Sequence, residues 1–509
     1  MINGQYYPSS PLHNTPTISH LSPLLPPSAT TTSGSGTSTV TALAFDNWPP
    51  PPPHSQASSL LSSTGPQTRP HNRPPTRLSQ HSGHLLGPTL AQLVLKTHDH
   101  VFASRPPLLV TQYLSFGFSD VTFSPYGAYW RQARKIYVTE LLSSKRVSSF
   151  ELVRDVEVNP LISSVSTRTG VATNISELFF NLASDILCRV ALGKRFMGES
   201  RGEERKKPDL ATILTETQSL LAGFCIGHFF PEWERVNSVS GMKRRLKNLE
   251  ELREVCDEHV KKRERKGNIQ DFVEVLLRVQ ERDDLEVPIT HDNLKALVLD
   301  MFVAGTDTTS STLEWTMNEL ARHPTVMVKA EEEEVQKIAS TKGKVEQTDL
   351  HHLHYLKAVI KETMRPNPPV PLLVLRESME DCILNGYNIL AKTRVLINTY
   401  AIGRDPVSWE NPLEFNPDRF EDADADADFK GKDFTFLPFG GGWRGCPGFS
   451  FGLVTVEIAL ARHLYHFDWG LPDGVGAEDL DLEEIFGLAM RKKSALVLVP
   501  KYSESDSAH

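Results

Sequence analysis

Cysteine and long apolar runs are scarce in this sequence. Its 509 residues include five cysteines, an odd number with no Cys-x-x-Cys pair, and this usage is typical of a reducing compartment. No stretch approaches the roughly 18 to 20 apolar residues that a helix needs to span a bilayer. No basic and apolar signal stands at the start. The sequence therefore predicts a reduced protein and shows no membrane anchor.

Basic residues are outnumbered by acidic ones beyond position 85. Residues 1–85 carry three arginines and one aspartate, and the whole chain has a net charge of −9, so the other 424 residues hold −11. A nucleic-acid-binding surface needs clustered positive charge to neutralise phosphates. The acidic balance argues against a nucleic-acid partner.

Proline, serine and threonine are concentrated in residues 1–85. This segment holds 15 of the 35 prolines, including the run Pro49–Pro53, and has almost no periodic apolar pattern. Such a composition cannot bury enough apolar surface to offset the entropy of ordering. We therefore expect disorder over 1–85 and one folded, mainly helical domain over 86–509. Within that domain, 108–123 is predicted to be an apolar loop that covers an apolar site, and 370–375 a short strand.

The most informative motif lies near the C-terminus, at Phe439–Gly448. It reads Phe-Gly-Gly-Gly-Trp-Arg-Gly-Cys-Pro-Gly and leads into an apolar helical pattern. Glycines let the backbone approach a large flat group that a Cβ atom would exclude. A helix that begins near Gly448 and the neighbouring cation Arg444 both favour the Cys446 thiolate over the thiol. The motif predicts a thiolate held against a flat metal cofactor.

Two further patterns lie on predicted helices. Thr290 can cap a long apolar helix that Pro324 ends, and the segment Ala304–Thr308 lies midway along it. Threonine in a helix often bonds to the carbonyl four residues earlier and opens the helix locally. Elsewhere Glu362 and Arg365 stand three residues apart, so they share one helix face.

These motifs occur in the order shown by the cytochrome P450 family, which the sequence resembles. The spacing Phe-x-x-Gly-x-Arg-x-Cys-x-Gly carries the resemblance, and the form Phe-Gly-Gly-Gly-x-Arg-Gly-Cys-Pro-Gly is most similar to that of the plant microsomal branch. The resemblance implies the mainly α P450 fold with a minor β part over 86–509. It also implies haem b (iron protoporphyrin IX), with Cys446 as the axial ligand of the iron. Members of that branch open with a membrane anchor and the first strands of a small sheet, which we expect to be missing here because the resemblance begins near Leu86.

The resemblance also implies roles for individual residues. Thr308 and Asp307 are implied to be catalytic, since Thr308 offers a hydrogen bond where oxygen binds and Asp307 relays protons from solvent. Glu362, Arg365 and Arg419 are implied to form a buried structural triad beneath the haem. The implied cofactor-binding residues are Arg105, Trp130, Arg134, Arg376, Phe439, Arg444, Cys446 and Gly448. The implied substrate contacts are Phe116, Phe118, Ala304, Gly305, Val370, Leu373 and Phe486.

The activity implied by the resemblance is monooxygenation. One oxygen atom of O₂ enters an apolar small molecule, such as a terpenoid or another plant specialised metabolite, and the other becomes water. Electrons come from NADPH through a separate NADPH-cytochrome P450 reductase, since no dinucleotide-binding site is evident in the sequence. The family resemblance also implies a location at the cytosolic face of the endoplasmic reticulum membrane.

Two alternatives stay open. A P450-type enzyme can rearrange a peroxide or dehydrate its substrate without O₂, but the intact Asp307–Thr308 pair argues against this because such enzymes need no proton relay. The second alternative is a haem-binding or inactive remnant of a truncated gene model, because missing opening strands leave sheet edges unsealed. Turnover without NADPH and oxygen favours the first, and expression beside a version with a restored N-terminus tests the second.

Overall fold

A computed structural model describes most of the chain beyond residue 82. The described residues are 83–85, 87–193, 210–221, 250, 253, 254, 257, 261, 271–331, 343–421, 429, 431–485 and 487–503. All of them belong to one compact unit, Ala44–His509. The disorder expected over 1–85 falls on residues outside this set, apart from 83–85.

Helices dominate the described chain, as the apolar periodicity predicted. The α-helices are α1 (Pro88–Gln92), α2 (Leu109–Leu114), α3 (Ala128–Ile136), α4 (Ser144–Ser149), α5 (Glu151–Ser166), α6 (Ile175–Leu192), α7 (Leu210–Leu221), α8 (Phe272–Gln280), α9 (His291–Arg322), α10 (Pro324–Val328), α11 (His354–Met364), α12 (Thr399–Ile402) and α13 (Phe449–His466). Single π-helical turns, Leu93–Thr97 and Tyr137–Leu141, extend α1 and α3.

The strands are short and form small sheets. They are β1 (Gly83–Leu85), β2 (Thr173–Asn174), β3 (Arg376–Glu377), β4 (Cys382–Leu384), β5 (Tyr387–Ile389), β6 (Arg394–Ile397), β7 (Phe467–Gly470), β8 (Glu484–Ile485), β9 (Arg491–Lys492) and β10 (Val497–Tyr502). Two sheets have three strands, ordered β1-β6-β3 and β2-β10-β7, and two are the hairpins β4-β5 and β8-β9. β1 pairs in parallel with β6, and the other pairings are antiparallel.

The long helix α9 runs through the core. The Thr290 side chain accepts a 3.2 Å hydrogen bond from the Asn293 N–H, and the Asn293 side chain accepts one of 2.8 Å from the Thr290 N–H, which makes a capping box. The helix ends before Pro324, so both predicted ends of this helix are confirmed. It packs against α6, α11 and α13.

Two parts of the chain differ from the sequence-based prediction. The segment 108–123 contains helix α2, since Val110 and Leu114 share a face that is buried in the core. No strand forms over 370–375, because Leu373 has a left-handed φ of 49° and its N–H closes a turn on the Val370 carbonyl at 3.1 Å. A strand begins just afterwards, at β3.

The described chain includes a strand that precedes the expected start of the family resemblance. β1 lies at Gly83–Leu85 and pairs along its whole length with β6, from Gly83 opposite Val395 to Leu85 opposite Ile397. At least one strand of the small sheet is therefore present ahead of Leu86. Among the described residues, no helix combines the length and the apolar character needed to cross a bilayer.

Candidate active site

The cysteine motif forms a tight loop that ends at the start of α13. The Cys446 N–H donates a 2.9 Å hydrogen bond to the Phe439 carbonyl, which closes the loop. Gly440 and Gly442 have left-handed φ angles of 65° and 66°. A Cβ atom on Gly442 would lie 2.3 Å from Asp99 Oδ2 and 2.4 Å from the Leu95 carbonyl oxygen, so this position requires glycine.

Cys446 is exposed to solvent in the described chain, although many protein atoms lie around its side chain. Burial is the largest influence on the thiol, and it raises the pKa of Cys446 above its ordinary value. The backbone N–H groups of Gly448 and Phe449 and the guanidinium of Arg134 oppose this rise. The helix start therefore favours the anion, as the motif predicted, although burial outweighs it in the protein alone.

The cation that acts on the thiol is Arg134, whereas the sequence pointed to Arg444. The Arg444 guanidinium turns away and donates to the carbonyls of Ala103 (2.6 Å), Val121 (3.1 Å) and Ser124 (2.6 Å). The expectation that Arg444 favours the thiolate through proximity was wrong.

Arg134 belongs to a cluster of four arginines next to the cysteine loop. Its Nη2 donates a 2.5 Å hydrogen bond to the Gly445 carbonyl, and Arg376 Nη2 donates one of 2.9 Å to the Gly441 carbonyl. Arg105 donates to the Thr122 carbonyl at 2.9 Å, beside the carbonyls that Arg444 contacts. Trp130 joins the cluster, since its ring centroid lies 4.1 Å from the Arg444 guanidinium.

Positive charge in this cluster exceeds what nearby carboxylates offset. Burial, Arg376 and Arg134 lower the pKa of Arg444 to about 9, and burial, Arg444 and Arg376 lower the pKa of Arg105. Asp99 pairs with Arg376 at 2.9 Å, and Asp120 acts on Arg105 and Arg444 from a distance. A ligand with carboxylates would be attracted here, because an anion restores the charge balance of buried guanidiniums.

One face of α9 is accessible although the rest of the helix is buried. Ala304 is the one exposed residue between Leu294 and Arg322, and Asp300 and Thr308, one turn away on either side, are half-buried. Gly452 of α13 packs near Thr309, with a separation of 4.0 Å between its Cβ position and Oγ1. Helix α9 therefore packs against α13, the helix that starts after Cys446.

These features fit a haem. Cys446 supplies an accessible sulfur, Ala304 and Thr308 supply an accessible helix face, and the arginine cluster suits a pair of propionate carboxylates. The chemistry of this donor set, one thiolate and several guanidiniums, matches iron protoporphyrin. When bound, the haem supplies the activation of O₂ at its iron.

Profile and sequence comparisons agree with this geometry. The profile of the family Cytochrome P450 matches residues 77–499. The chain belongs to the cytochrome P450 family. It is 53% identical over 431 residues to tryptamine 5-hydroxylase of Oryza sativa subsp. japonica, covering 82% of this chain and 81% of that protein. It is 43% identical to premnaspirodiene oxygenase of Hyoscyamus muticus, covering 81% and 82%, and 42% identical to strychnine-11-hydroxylase of Strychnos nux-vomica, covering 80% of each.

Solved structures confirm the fold. A zebrafish cytochrome P450 solved with abiraterone has a TM-score of 0.68 and 23% identity, covering 83% of this chain and 93% of that one. Together, the family profile, the relatives and the solved structures confirm four expectations from the sequence. These are the P450 fold, the similarity to plant P450s, the oxygenase activity and haem b as the cofactor. Electrons reach this P450 from a reductase partner.

The acid and alcohol on α9 of the P450 differ sharply in environment. Thr308 Oγ1 donates a 2.8 Å hydrogen bond back to the Ala304 carbonyl, as threonine in helices often does. Asp307 is completely buried, and Arg491 Nη1 lies 3.6 Å from its Oδ1. Burial raises the pKa of Asp307, while Arg491 and the Gln218 side chain oppose the rise. The sequence did not identify Arg491 or Gln218 as neighbours of Asp307. Arg491 belongs to the run Arg491-Lys492-Lys493, which looks like an ordinary basic surface segment.

The structure brings Glu362, Arg365 and Arg419 together. Arg365 donates two hydrogen bonds of 2.8 Å to the two Glu362 oxygens, and Arg419 Nε lies 3.4 Å from Glu362 Oε1. Arg365 also donates to the Gly403, Pro412 and Glu414 carbonyls at 2.6, 2.7 and 3.1 Å. The triad therefore ties α11 to the segment 403–420.

The predicted substrate contacts lie in several surroundings. The Leu373 side chain lies 3.4 Å from the Cβ position of Gly440 in the cysteine loop, and Val370 belongs to the same turn. Gly305 faces α6 instead, where its Cβ position would lie 2.8 Å from Leu187 Cδ1. Phe116 packs under the Arg253 guanidinium at 4.0 Å. Phe118 is half-buried with a left-handed φ of 65°, and Phe486 lies outside the described residues.

Proposed function

We propose that this P450 hydroxylates an apolar plant metabolite, using O₂ and electrons from NADPH. The observation that carries the proposal is the pairing of an accessible Cys446 sulfur with the accessible Ala304 and Thr308 face of a buried helix. The reaction requires a site between them from which bulk water is restricted. One oxygen atom of O₂ enters the substrate and the other leaves as water.

Each group has a role in the proposed reaction. Cys446 would hold the haem iron through its thiolate, and Arg105, Arg134, Arg376 and Arg444 would balance the haem propionates. The Thr308 hydroxyl, which now donates to the Ala304 carbonyl, would donate instead to a ligand on the accessible face, because a hydroxyl rotates to suit its acceptor. Asp307 accepts protons from the solvent side and returns to its ionised form after releasing them.

The substrate class is proposed from the site and the relatives together. Ala304, Val370 and Leu373 are apolar residues that are not fully buried, and Leu373 lies next to the cysteine loop. The relatives described above are named for tryptamine, premnaspirodiene and strychnine, which are carbon-rich terpenoid or alkaloid compounds. We therefore propose a terpenoid or alkaloid substrate that packs its carbon skeleton on these residues. The proposed location is the cytosolic face of the endoplasmic reticulum, where the NADPH-cytochrome P450 reductase docks.

The decisive experiment combines a spectrum with an isotope label. The full chain is reduced and exposed to carbon monoxide, which gives the thiolate-ligated spectrum if Cys446 is the ligand. Cys446→Ala should abolish that spectrum, while Cys382→Ala, a half-buried cysteine in β4, should retain it. With reductase, NADPH and ¹⁸O₂, the product should carry one labelled oxygen atom. A thiolate spectrum in Cys446→Ala, or turnover that needs neither NADPH nor O₂, contradicts the proposal.

A further inference from the structure

Asp307 is a buried carboxylate that makes no close hydrogen bond in the described chain, although the Gln218 side chain lies near enough to favour its charged form. It is inaccessible to solvent, and neither Oδ1 nor Oδ2 has a hydrogen-bond partner among the described residues. Buried polar atoms are normally paired, and those that are not call for a bound water or a functional reason. The Gln218 Oε1 atom on α7 is likewise buried and unpaired within the described chain. The two Asp307 oxygens and Gln218 Oε1 are therefore buried acceptors without a close donor in the described chain, and such atoms can bind a water molecule.

The cation that faces Asp307 is held by two other helices. Arg491 Nη1, 3.6 Å from Asp307 Oδ1, donates a 2.6 Å hydrogen bond to Thr215 Oγ1 of α7. The Arg491 guanidinium also lies 5.0 Å from the ring centroid of Phe180 on α6. Nη1 carries two hydrogens, so it can donate to Thr215 and still face Asp307. The bond to Thr215 thus helps to hold the guanidinium opposite the carboxylate.

Arg491 also connects the buried carboxylate to the surface. Its side chain is 18% exposed, while that of Asp307 is fully buried. Among the described residues, Arg491 is the one charged group that acts on Asp307. On its other side Arg491 acts on Glu314 of α9, which Lys492 also faces and which accepts a hydrogen bond from Ser176. Two carboxylates of α9 thus share one guanidinium.

We propose that Arg491 is a positioning residue for proton delivery: anchored by Thr215 and Phe180, it keeps Asp307 ionised, so that this carboxylate can take up a proton and pass it toward Thr308. The inference rests on the proposed monooxygenase function. A proton from water on the Arg491 side binds an Asp307 oxygen and leaves toward the Thr308 hydroxyl, which regenerates the carboxylate. Without the guanidinium, no charged group of the described chain opposes the rise that burial causes in the pKa of Asp307, so a smaller fraction of the carboxyl is ionised and able to accept a proton.

The test follows the protonation of Asp307 directly. The carbonyl stretching band of its protonated carboxyl is recorded by infrared spectroscopy on the haem-loaded protein as pH changes, and Asp307→Asn identifies the band. Arg491→Gln should move the midpoint of this titration upward by about one pH unit or more, since an opposite charge at this distance shifts a carboxyl pKa by roughly 1 to 3 units. Arg491→Lys should keep most of the wild-type value.

Thr215→Val gives a second prediction of the same sign. Without this hydroxyl Arg491 loses one of the contacts that hold it opposite Asp307, so the midpoint should rise, by less than in Arg491→Gln. Lys493→Gln is the matched control, because Lys493 lies two residues along the chain but is 62% exposed and paired with Glu483. The pH at which the yield of product per NADPH changes should follow the same shifts. If Arg491→Gln does not fold, Thr215→Val and Arg491→Lys carry the test.

The inference and the proposed function fail in different ways. An unchanged midpoint in Arg491→Gln or in Thr215→Val overturns the role of Arg491, even when the protein shows the thiolate spectrum and makes product. Absence of the thiolate spectrum and of labelled product in the wild type overturns the proposed function itself. Equal midpoints in wild type and Lys493→Gln show that a shift is specific to the Arg491 pair.

Discussion

The Arg365 guanidinium meets the Glu362 carboxylate in a two-point pair that is fully excluded from solvent. Both hydrogen bonds are 2.8 Å long, and both side chains are 0% exposed. The Asn416 N–H donates a further 2.9 Å hydrogen bond to Glu362 Oε1. Because the desolvated charges are matched on both sides, removal of one leaves the other uncompensated.

Glu362→Gln should therefore destabilise the fold strongly. We expect a loss of about 3 to 5 kcal/mol in the free energy of unfolding, since a buried guanidinium is left without its counter-charge. Arg365→Lys should not conserve stability, because lysine lacks the planar fork that meets both oxygens. Urea unfolding of the haem-loaded protein measures both.

The control for the triad is an exposed pair. Lys493 and Glu483 are 62% and 64% exposed, so Glu483→Gln should cost less than about 1 kcal/mol. A Glu362→Gln protein as stable as the Glu483→Gln protein contradicts a structural role for the triad.

Thr308→Ala should uncouple electron use from product formation. The substitution removes a half-buried hydroxyl from the accessible face of α9 and leaves the backbone intact. We expect a several-fold drop in product per NADPH, with more hydrogen peroxide and an unchanged carbon monoxide spectrum. The matched control is Thr316→Ala, since Thr316 makes the same bond to the carbonyl four residues earlier but is buried two turns away. Equal uncoupling in both variants speaks against the Thr308 role.

Gly442→Ala should disrupt the cysteine loop. Its left-handed φ of 66° costs a non-glycine residue roughly 1 to 2 kcal/mol, and the new Cβ would also meet the Leu95 carbonyl at 2.4 Å. We expect loss of haem binding in addition to lower stability, seen as a reduced ratio of haem to protein absorbance. Gly474→Ala separates the two effects, because Gly474 has a φ of 80° but no atom within 4 Å of its Cβ position. Similar haem content in both variants shows that the clash is unimportant.

His463 should make the fold sensitive to mild acid. Burial lowers the pKa of this fully buried histidine to about 4, while a histidine in the unfolded chain titrates near 6.5. Between these values the unfolded chain binds the proton and the folded protein does not, so stability falls as pH drops from about 6.5 to 4. The full loss is about 3 kcal/mol at most, from 1.36 kcal/mol per pKa unit.

The contribution of His463 is measured by difference. His463→Gln should flatten the decline of unfolding free energy between pH 6.5 and 4, whereas His351→Gln, at an exposed position, should leave the slope unchanged. Raised pKa values of buried carboxyls such as Asp307 act in the opposite direction, so the slope of the variant is compared with that of the wild type. Parallel curves for wild type and His463→Gln refute the assignment.

Several site features were predictable because they depend on local spacing. Glu362 and Arg365 had to share a helix face at i and i+3, and the structure pairs them. Thr290 and Pro324 marked the ends of α9 through capping chemistry and a missing N–H. The glycines around Cys446 predicted a loop whose backbone can approach a flat group closely. In the structure, Gly440 and Gly442 have left-handed φ angles. Each of these signals is read within a few residues.

Other features depend on partners far along the chain. Arg444 stands two residues from Cys446, yet its guanidinium reaches carbonyls more than 300 residues away, and Arg134 acts on the thiol instead. The segment 370–375 has the composition of a strand, but Leu373 turns to pack on Gly440. Arg491 was indistinguishable from its basic neighbours until β9 placed it opposite Asp307.

The amino-acid order by itself determined where helices begin and end, which cysteine lies in a glycine loop, and the family to which the chain belongs. Those properties follow from backbone sterics and hydrogen bonds between near neighbours. Only the tertiary structure decided which cation faces which anion. A long charged side chain can bond to any carbonyl or carboxylate within its reach, and packing determines which of these groups are near. The two pairings that matter most for the chemistry are Arg134 with the Cys446 thiol and Arg491 with the Asp307 carboxylate.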